Sequence, residues 1–318
     1  MDLENVFVNP PLDEDQELDE EAKALSGSED QDDQDDQDQD DVSSISQEEV
    51  QDPLPVVLTR YLYIKQDVLV SLLLSIVNKD WPQSLFWTCE LYYSGFQEEL
   101  VEFVWVIFRD CFQKYNPKLT KYIEKQYNEA MIDVQGANQQ SYTTQTLLHI
   151  ANMVRNMTVP TRRVDTKKIV GLEHYVMVTN ADIMTKPVET RIYISVQESE
   201  LEPHKTLEQR CDLKARHILK QACKYATNKS TPLLTHISRL HDTCEKEDLV
   251  TMHRYCWLYY ACQSPIWADR LRTHHGKLDD DVLCVVFDNL EDEEAFYEKY
   301  EYEPDEQSLA VQSMFMHL

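Results

Sequence analysis

Histidine and cysteine recur at a spacing able to gather a metal ion: His241-x-x-Cys244 and His253-x-x-Cys256. Four such donors suit tetrahedral zinc. The separation of the pairs is not that of a common zinc finger, and the second lies in an apolar helical pattern with Met252, Tyr255, Tyr259 and Tyr260. Core packing explains these residues more simply, so no metal is assigned. "THHGKLDDD" brings His274 and His275 close to Asp279, Asp280 and Asp281. A glycine after one helix and acids at the start of the next explain that cluster without chemistry.

No other constellation points to catalysis. The five glycines stand alone, and no GxGxxG, GKS/T or GxSxG occurs. A phosphate-cradling loop needs clustered glycines where backbone approaches the ligand. Nucleotide chemistry of those kinds is therefore excluded, and the residues read as a non-enzymatic protein with no cofactor. The eight cysteines are irregularly spaced in a long chain that starts without a secretory signal, which predicts reduced thiols.

The elements that must position any site follow from charge and periodicity. The net charge is −28, yet residues 1–52 hold 21 Asp or Glu against one Lys, leaving 37 acids and 29 bases for the rest. In "SEDQDDQDDQDQDD" like charges repel and little apolar surface offsets chain entropy. Residues 1–55 are thus expected to be a disordered acidic tail. It would serve as a solubilising spacer or as an arm for a basic protein partner. The acidic balance speaks against direct nucleic-acid binding, and the absence of a long apolar run predicts no membrane span.

The remainder predicts a mainly α fold, a helical bundle or irregular α-solenoid with a small β-hairpin. An amino-terminal helical domain is expected over 56–160, a linker over 161–202 and a carboxyl-terminal helical domain over 203–318. Tyr61, Leu62, Val68, Leu69, Leu72, Leu73, Ile76 and Val77 keep one helix face. Asp80 and Pro82 start a second helix, which Gly95 ends. Leu85, Phe86, Cys89, Tyr92 and Tyr93 form its stripe, and Phe96, Leu100, Phe103, Val104, Ile107 and Phe108 form the next. Two apolar faces joined at Ser94-Gly95 predict an antiparallel helical hairpin. "HYVMV" and "RIYISV" supply the strand candidates, and residues 204–229 read as one helix with Lys205, Arg210, Lys214, Lys220 and Lys224 on its polar side.

Partner-binding candidates lie at the edges of these patterns. Trp87 and Trp105 fall beside the stripes, where an exposed tryptophan can anchor an interface. Arg162, Arg163, Lys167 and Lys168 form a basic cluster that suits an import signal, a phosphate contact or a solvated loop. Leu309, Met314 and Phe315 make a last short helix apolar enough to cap the core or dock into a neighbour.

The stretch "FW-x-x-ELYYSGF" (Phe86–Phe96), continued in "FRDCFQKYNPKLTKYIEKQ", resembles a family from nucleocytoplasmic large DNA viruses. The resemblance returns in "SPIWADRLRTHHGKLDDD" and "EEAFYEKYEYEPDEQS", and leaves out the acidic tail. It implies a virion or minor capsid protein that contacts capsid or other virion proteins, located in the virion, at a cytoplasmic assembly site or in the nucleus. It implies no catalytic residues. An intracellular regulatory adaptor, recruiting through its acidic tail, is the alternative.

Overall fold

A computed structural model describes residues 56–136, 144–166, 193–207, 213–228 and 246–315. Its helices begin with α1 (Lys65–Val77), α2 (Trp81–Tyr93), α3 (Gln97–Ile107), α4 (Thr120–Gly136) and α5 (Thr144–Met157). Short helices α6 (Glu198–Leu201) and α7 (Ile218–Ala222) follow. Then come α8 (Lys246–Tyr255), α9 (Trp257–Ala261) and α10 (Pro265–Thr273). Strands β1 (Gly276–Asp279) and β2 (Cys284–Phe287) precede α11 (Leu290–Tyr300) and α12 (Leu309–Phe315). The fold is mainly helical.

Local signals set several boundaries. The Asp80 carboxylate accepts the Gln83 N–H at 3.1 Å, capping α2 with Pro82 in its first turn. At the other end Gly95 adopts φ 98°, while Gly95 and Phe96 donate back to Tyr92 O and Leu91 O. That closure satisfies the last carbonyls and turns the chain into α3, giving the expected helical hairpin. α1 packs on α2, α4 on α5, α2 against α5 and α3 against α4.

Leu72 and Phe103 lie in the core, as the periodicity predicts. Residues of both helical regions enter the same buried cluster, from Leu58 through Trp87 to Trp267 and Phe315. Trp267 packs edge-on to Trp257 and Tyr302, with ring centroids 5.7 and 5.2 Å away, and Tyr300 lies 5.7 Å from it.

Four expectations need correction. Residues 56–64 are not helical. Thr59 N–H donates to Tyr63 O, Leu58 pairs with Ile64, and Leu62 takes φ 63°. This tight loop is almost wholly buried, and its polar groups reach distant elements: Leu58 N–H to Tyr260 O, and Trp267 Nε1 to Thr59 O at 3.2 Å.

The single helix expected over 204–229 is also broken. A 3-10 turn occupies Glu202–His204, another Ala215–His217, and among the described residues of this range only Ile218–Ala222 is α-helical. Beyond it the backbone bonds elsewhere: Asn228 N–H to Ser71 Oγ, Thr227 N–H to Met314 O, and the Tyr63 hydroxyl to Tyr225 O.

Third, "HYVMV" lies outside the described residues, and Tyr193–Val196 of "RIYISV" forms no strand pairing among the described residues. It is clamped by Asn152 and Asn156, whose side-chain oxygens accept Val196 N–H and Ile194 N–H at 2.7 and 3.1 Å. Fourth, the antiparallel pair falls where a helix start was expected. Gly276 pairs with Phe287 and Asp279 with Cys284. The Asp279 carboxylate, rather than opening a helix, accepts Asp281 and Val282 N–H groups in the turn.

Candidate functional site

The apolar runs around Arg60 and Glu90 each carry that one charge. A charge taken out of water must be paired, because desolvation costs several kcal/mol per ion. These two find each other: Arg60 Nε lies 2.9 Å from Glu90 Oε2, with side chains 3% and 0% exposed. Every arm of the pair is satisfied. Arg60 Nη2 donates to His204 O at 2.9 Å and Nη1 to Thr206 Oγ1 at 3.3 Å, while Glu90 Oε1 accepts Tyr61 N–H. The guanidinium also stacks between Tyr61 and Tyr93. Burial favours the neutral guanidine, but the Glu90 carboxylate more than offsets it and holds Arg60 protonated.

Arg60, with Glu90 behind it, forms the floor of a cleft of about 500 Å³. Tyr61, Phe86, Pro203 and Leu207 give it apolar walls; Lys205, Thr206, Gln221 and Lys224 give it a polar rim. Lys205 Nζ is held by Glu202 at 2.6 Å. Burial, then the nearby charges of Lys224 and Arg60, push the His204 imidazole down to about 4, so it is neutral at neutral pH. The cleft thus offers a neutral ring, aromatic walls and an ammonium: groups for holding an anion beside an apolar moiety.

A second unusual group is Lys79. It keeps some solvent contact, yet its ammonium donates to Met157 O at 2.8 Å and sits 4.1 Å from the Phe112 ring centroid. Burial, with Arg162 nearby, brings it down to about 7. The Cys89 and Cys262 thiols are pushed up to about 12 by burial, which makes them poor nucleophiles at neutral pH.

The residues singled out in the sequence disperse over the fold. Trp87 is not at an edge: it is fully buried, packed edge-on to Tyr63 and Phe86 at 5.2 and 4.7 Å. α2 is enclosed on most of its circumference, so no stripe edge reaches water there. Trp105 is half-buried and its ring is stacked on Tyr127 at 5.0 Å. Arg163 is exposed, Arg162 is half-buried, and Lys167 and Lys168 lie outside the described residues. In α12, Phe315 is buried beside His253 and Met314 packs on the core, whereas Leu309 is 75% exposed. The last helix caps its own core.

His253 and Cys256 do not meet as ligands. His253 Nε2 lies 3.2 Å from the Leu62 carbonyl oxygen deep in the core, and Cys256 is half-buried. His241 and Cys244 lie outside the described residues. Among the described residues, no group of three or more His, Cys, Asp or Glu is placed to hold a metal ion, and no helix is long and apolar enough to cross a membrane.

Arg60, Glu90, His204 and Lys79 were not singled out by the sequence reading. For the first two a signal existed, a lone charge inside an apolar run. For His204 and Lys79 the environment is tertiary and leaves no local mark.

The segments that carry the family resemblance meet in space. Ser94-Gly95 contacts Pro265-Ile266, with Ile266 N–H donating to Ser94 O at 3.3 Å. Tyr302, from the third segment, packs on Trp267. A scan against protein-family models, a search of curated proteins and a search of solved structures each returned no match.

Proposed function

We propose that this chain is a non-enzymatic assembly protein of a large DNA virus, a minor capsid or other virion component that works through protein–protein contacts. The observation that carries the reading is the role of the residues behind the resemblance. Phe86, Trp87, Glu90, Gly95, Pro265 and Trp267 build one packing unit, and none of them presents a reactive group to solvent. They read as the frame of a scaffold.

A contact surface lies next to that frame. On the β hairpin Val285 and Phe287 face the core, while Val286 points outward at 51% exposure. Val282 in the turn and Leu290 at the start of α11 are each 66% exposed. Exposed apolar side chains on and just after a short hairpin suit a protein interface.

Quantitative mass spectrometry of purified particles, scored against the major capsid protein, tests the proposal. A fixed, reproducible copy number is expected. Absence from particles combined with abundance in infected cells would overturn it and leave the adaptor reading in its place.

A further inference from the structure

One side of the Arg60–Glu90 cleft, with Gln221, Ala222 and Lys224, belongs to a segment that stands out from the chain around it. Residues 213–228 contain Lys214, Arg216, Lys220 and Lys224 and no acidic residue, in a protein whose net charge is −28. All four side chains are exposed. Arg216 lies 3.7 Å from Glu301, whereas Lys214, Lys220 and Lys224 make no ion pair among the described residues. Several other lysines are matched, Lys65 by Glu99 at 2.9 Å, Lys125 by Glu129 at 3.7 Å and Lys277 by Asp288 at 2.7 Å, while Lys121 and Lys299 are exposed without an ion pair among the described residues.

We propose that this cleft and its lysine rim dock an acidic peptide segment of a partner protein, with an apolar side chain of that segment entering between Tyr61, Phe86 and Leu207. Three observations converge on that ligand. The floor cannot serve as a free cation, because Glu90 already neutralises Arg60; the available positive charge is on the rim, where carboxylates of a peptide can reach it. The cleft walls are apolar and aromatic, so a purely ionic ligand would leave them unfilled. A long polyanion such as nucleic acid would meet the repulsion of a strongly acidic protein, while a short acidic segment needs only the local field. Lys224, which lines the cleft and has no acidic partner among the described residues, joins the two halves of the site. The docking is independent of any role in particles, so its failure would leave the copy-number test untouched.

The experiment is fluorescence anisotropy of the full chain with a labelled synthetic peptide of six Asp or Glu residues around one Phe. Saturable binding that weakens with added salt is expected. K220E/K224E should weaken it at least fivefold. Q221W, which fills the cleft mouth, should weaken the Phe-containing peptide but not an all-acidic one. The control K121E/K125E makes the same charge change on the outer side of α4 and should leave binding within twofold. Equal loss in both charge-reversal pairs would mean diffuse attraction and overturn the site. So would indifference to Q221W, or a single-stranded RNA that binds the same rim more tightly than the peptide. Lys220 and Lys224 make no ion pair among the described residues, whereas reversing Lys125 removes its 3.7 Å pair with Glu129, so an unchanged melting curve of each variant separates lost binding from lost folding.

Discussion

Gly95 faces Pro265 so closely that a methyl group on its α-carbon would lie 2.5 Å from the proline Cβ. The glycine is also held at φ 98°, where an L side chain is strained. Gly95→Ala should therefore destabilise the fold by about 2–3 kcal/mol, combining backbone strain with overpacking. Urea unfolding measures it. Measured against the Pro265→Gly single variant, which lacks that Cβ, Gly95→Ala should lose its steric part and keep a residual loss of about 1 kcal/mol from the left-handed backbone; no residual loss would show that the turn is unstrained.

The Arg60–Glu90 pair predicts strong non-additivity. Glu90→Leu leaves a buried guanidinium without its counter-charge, and a loss of about 3–5 kcal/mol is expected. Arg60→Met should cost a similar amount. The double variant should lose clearly less than the sum, because neither charge is then stranded. A double-mutant cycle by chemical denaturation decides; simple additivity would mean that the two charges are solvated separately.

Lys79 predicts a pH dependence whose sign follows from its lowered proton affinity. The native group titrates near 7 and the unfolded one near 10.5. Between those values the unfolded chain binds more protons, so stability rises with pH across that window, and below 7 the full cost of holding the charge applies. Lys79→Met should be stabilising relative to wild type below pH 7. After discounting for the solvent contact that remains, the gain should be of order 2 kcal/mol. It should shrink steadily toward pH 10. Melting curves of both proteins from pH 6 to 10 test this, and a gap that does not narrow would refute the buried ammonium.

The two ends of α12 should behave in opposite ways. Leu309→Asp places a charge on a surface already open to water and should change stability by less than about 0.5 kcal/mol. Phe315→Asp puts an unpaired carboxylate beside His253 and the core, with a loss of several kcal/mol or insoluble protein. Thermal melts with a solubility assay distinguish them. Equal effects would mean that the helix is not seated by Phe315.

How much was legible in the sequence depends on where each signal acts. Asp80 with Pro82, and Gly95, work on their own backbone neighbours, and each marks a real boundary. Apolar periodicity found the core faces of α1 to α3 for the same reason. It failed at residues 204–229, where helical spacing is overruled at the far end because backbone groups of Tyr225, Thr227 and Asn228 bond to Tyr63, Met314 and Ser71, more than 80 residues away in sequence. It failed at the hairpin because three consecutive aspartates resemble a helix start, although the β-branched pair Val285-Val286 carried the competing strand signal. Trp87 looked peripheral because a stripe was drawn on one face, whereas α2 is buried on nearly every side. The cleft was out of reach: its floor, walls and rim come from residues 60–61, 86, 202–207 and 221–224, which only the folded chain assembles.

The buried loop at 56–64 has a mechanical consequence. The acidic stretch of the chain runs directly into it, and the loop is fastened to three separate elements, by Leu58 to Tyr260, by Thr59 to Trp267 and by Arg60 to Glu90. Tension applied from the amino-terminal side is therefore carried into the middle of the fold and shared among anchors that must yield together. A tether rooted in this way does not peel from an edge; it holds until the interior itself gives way.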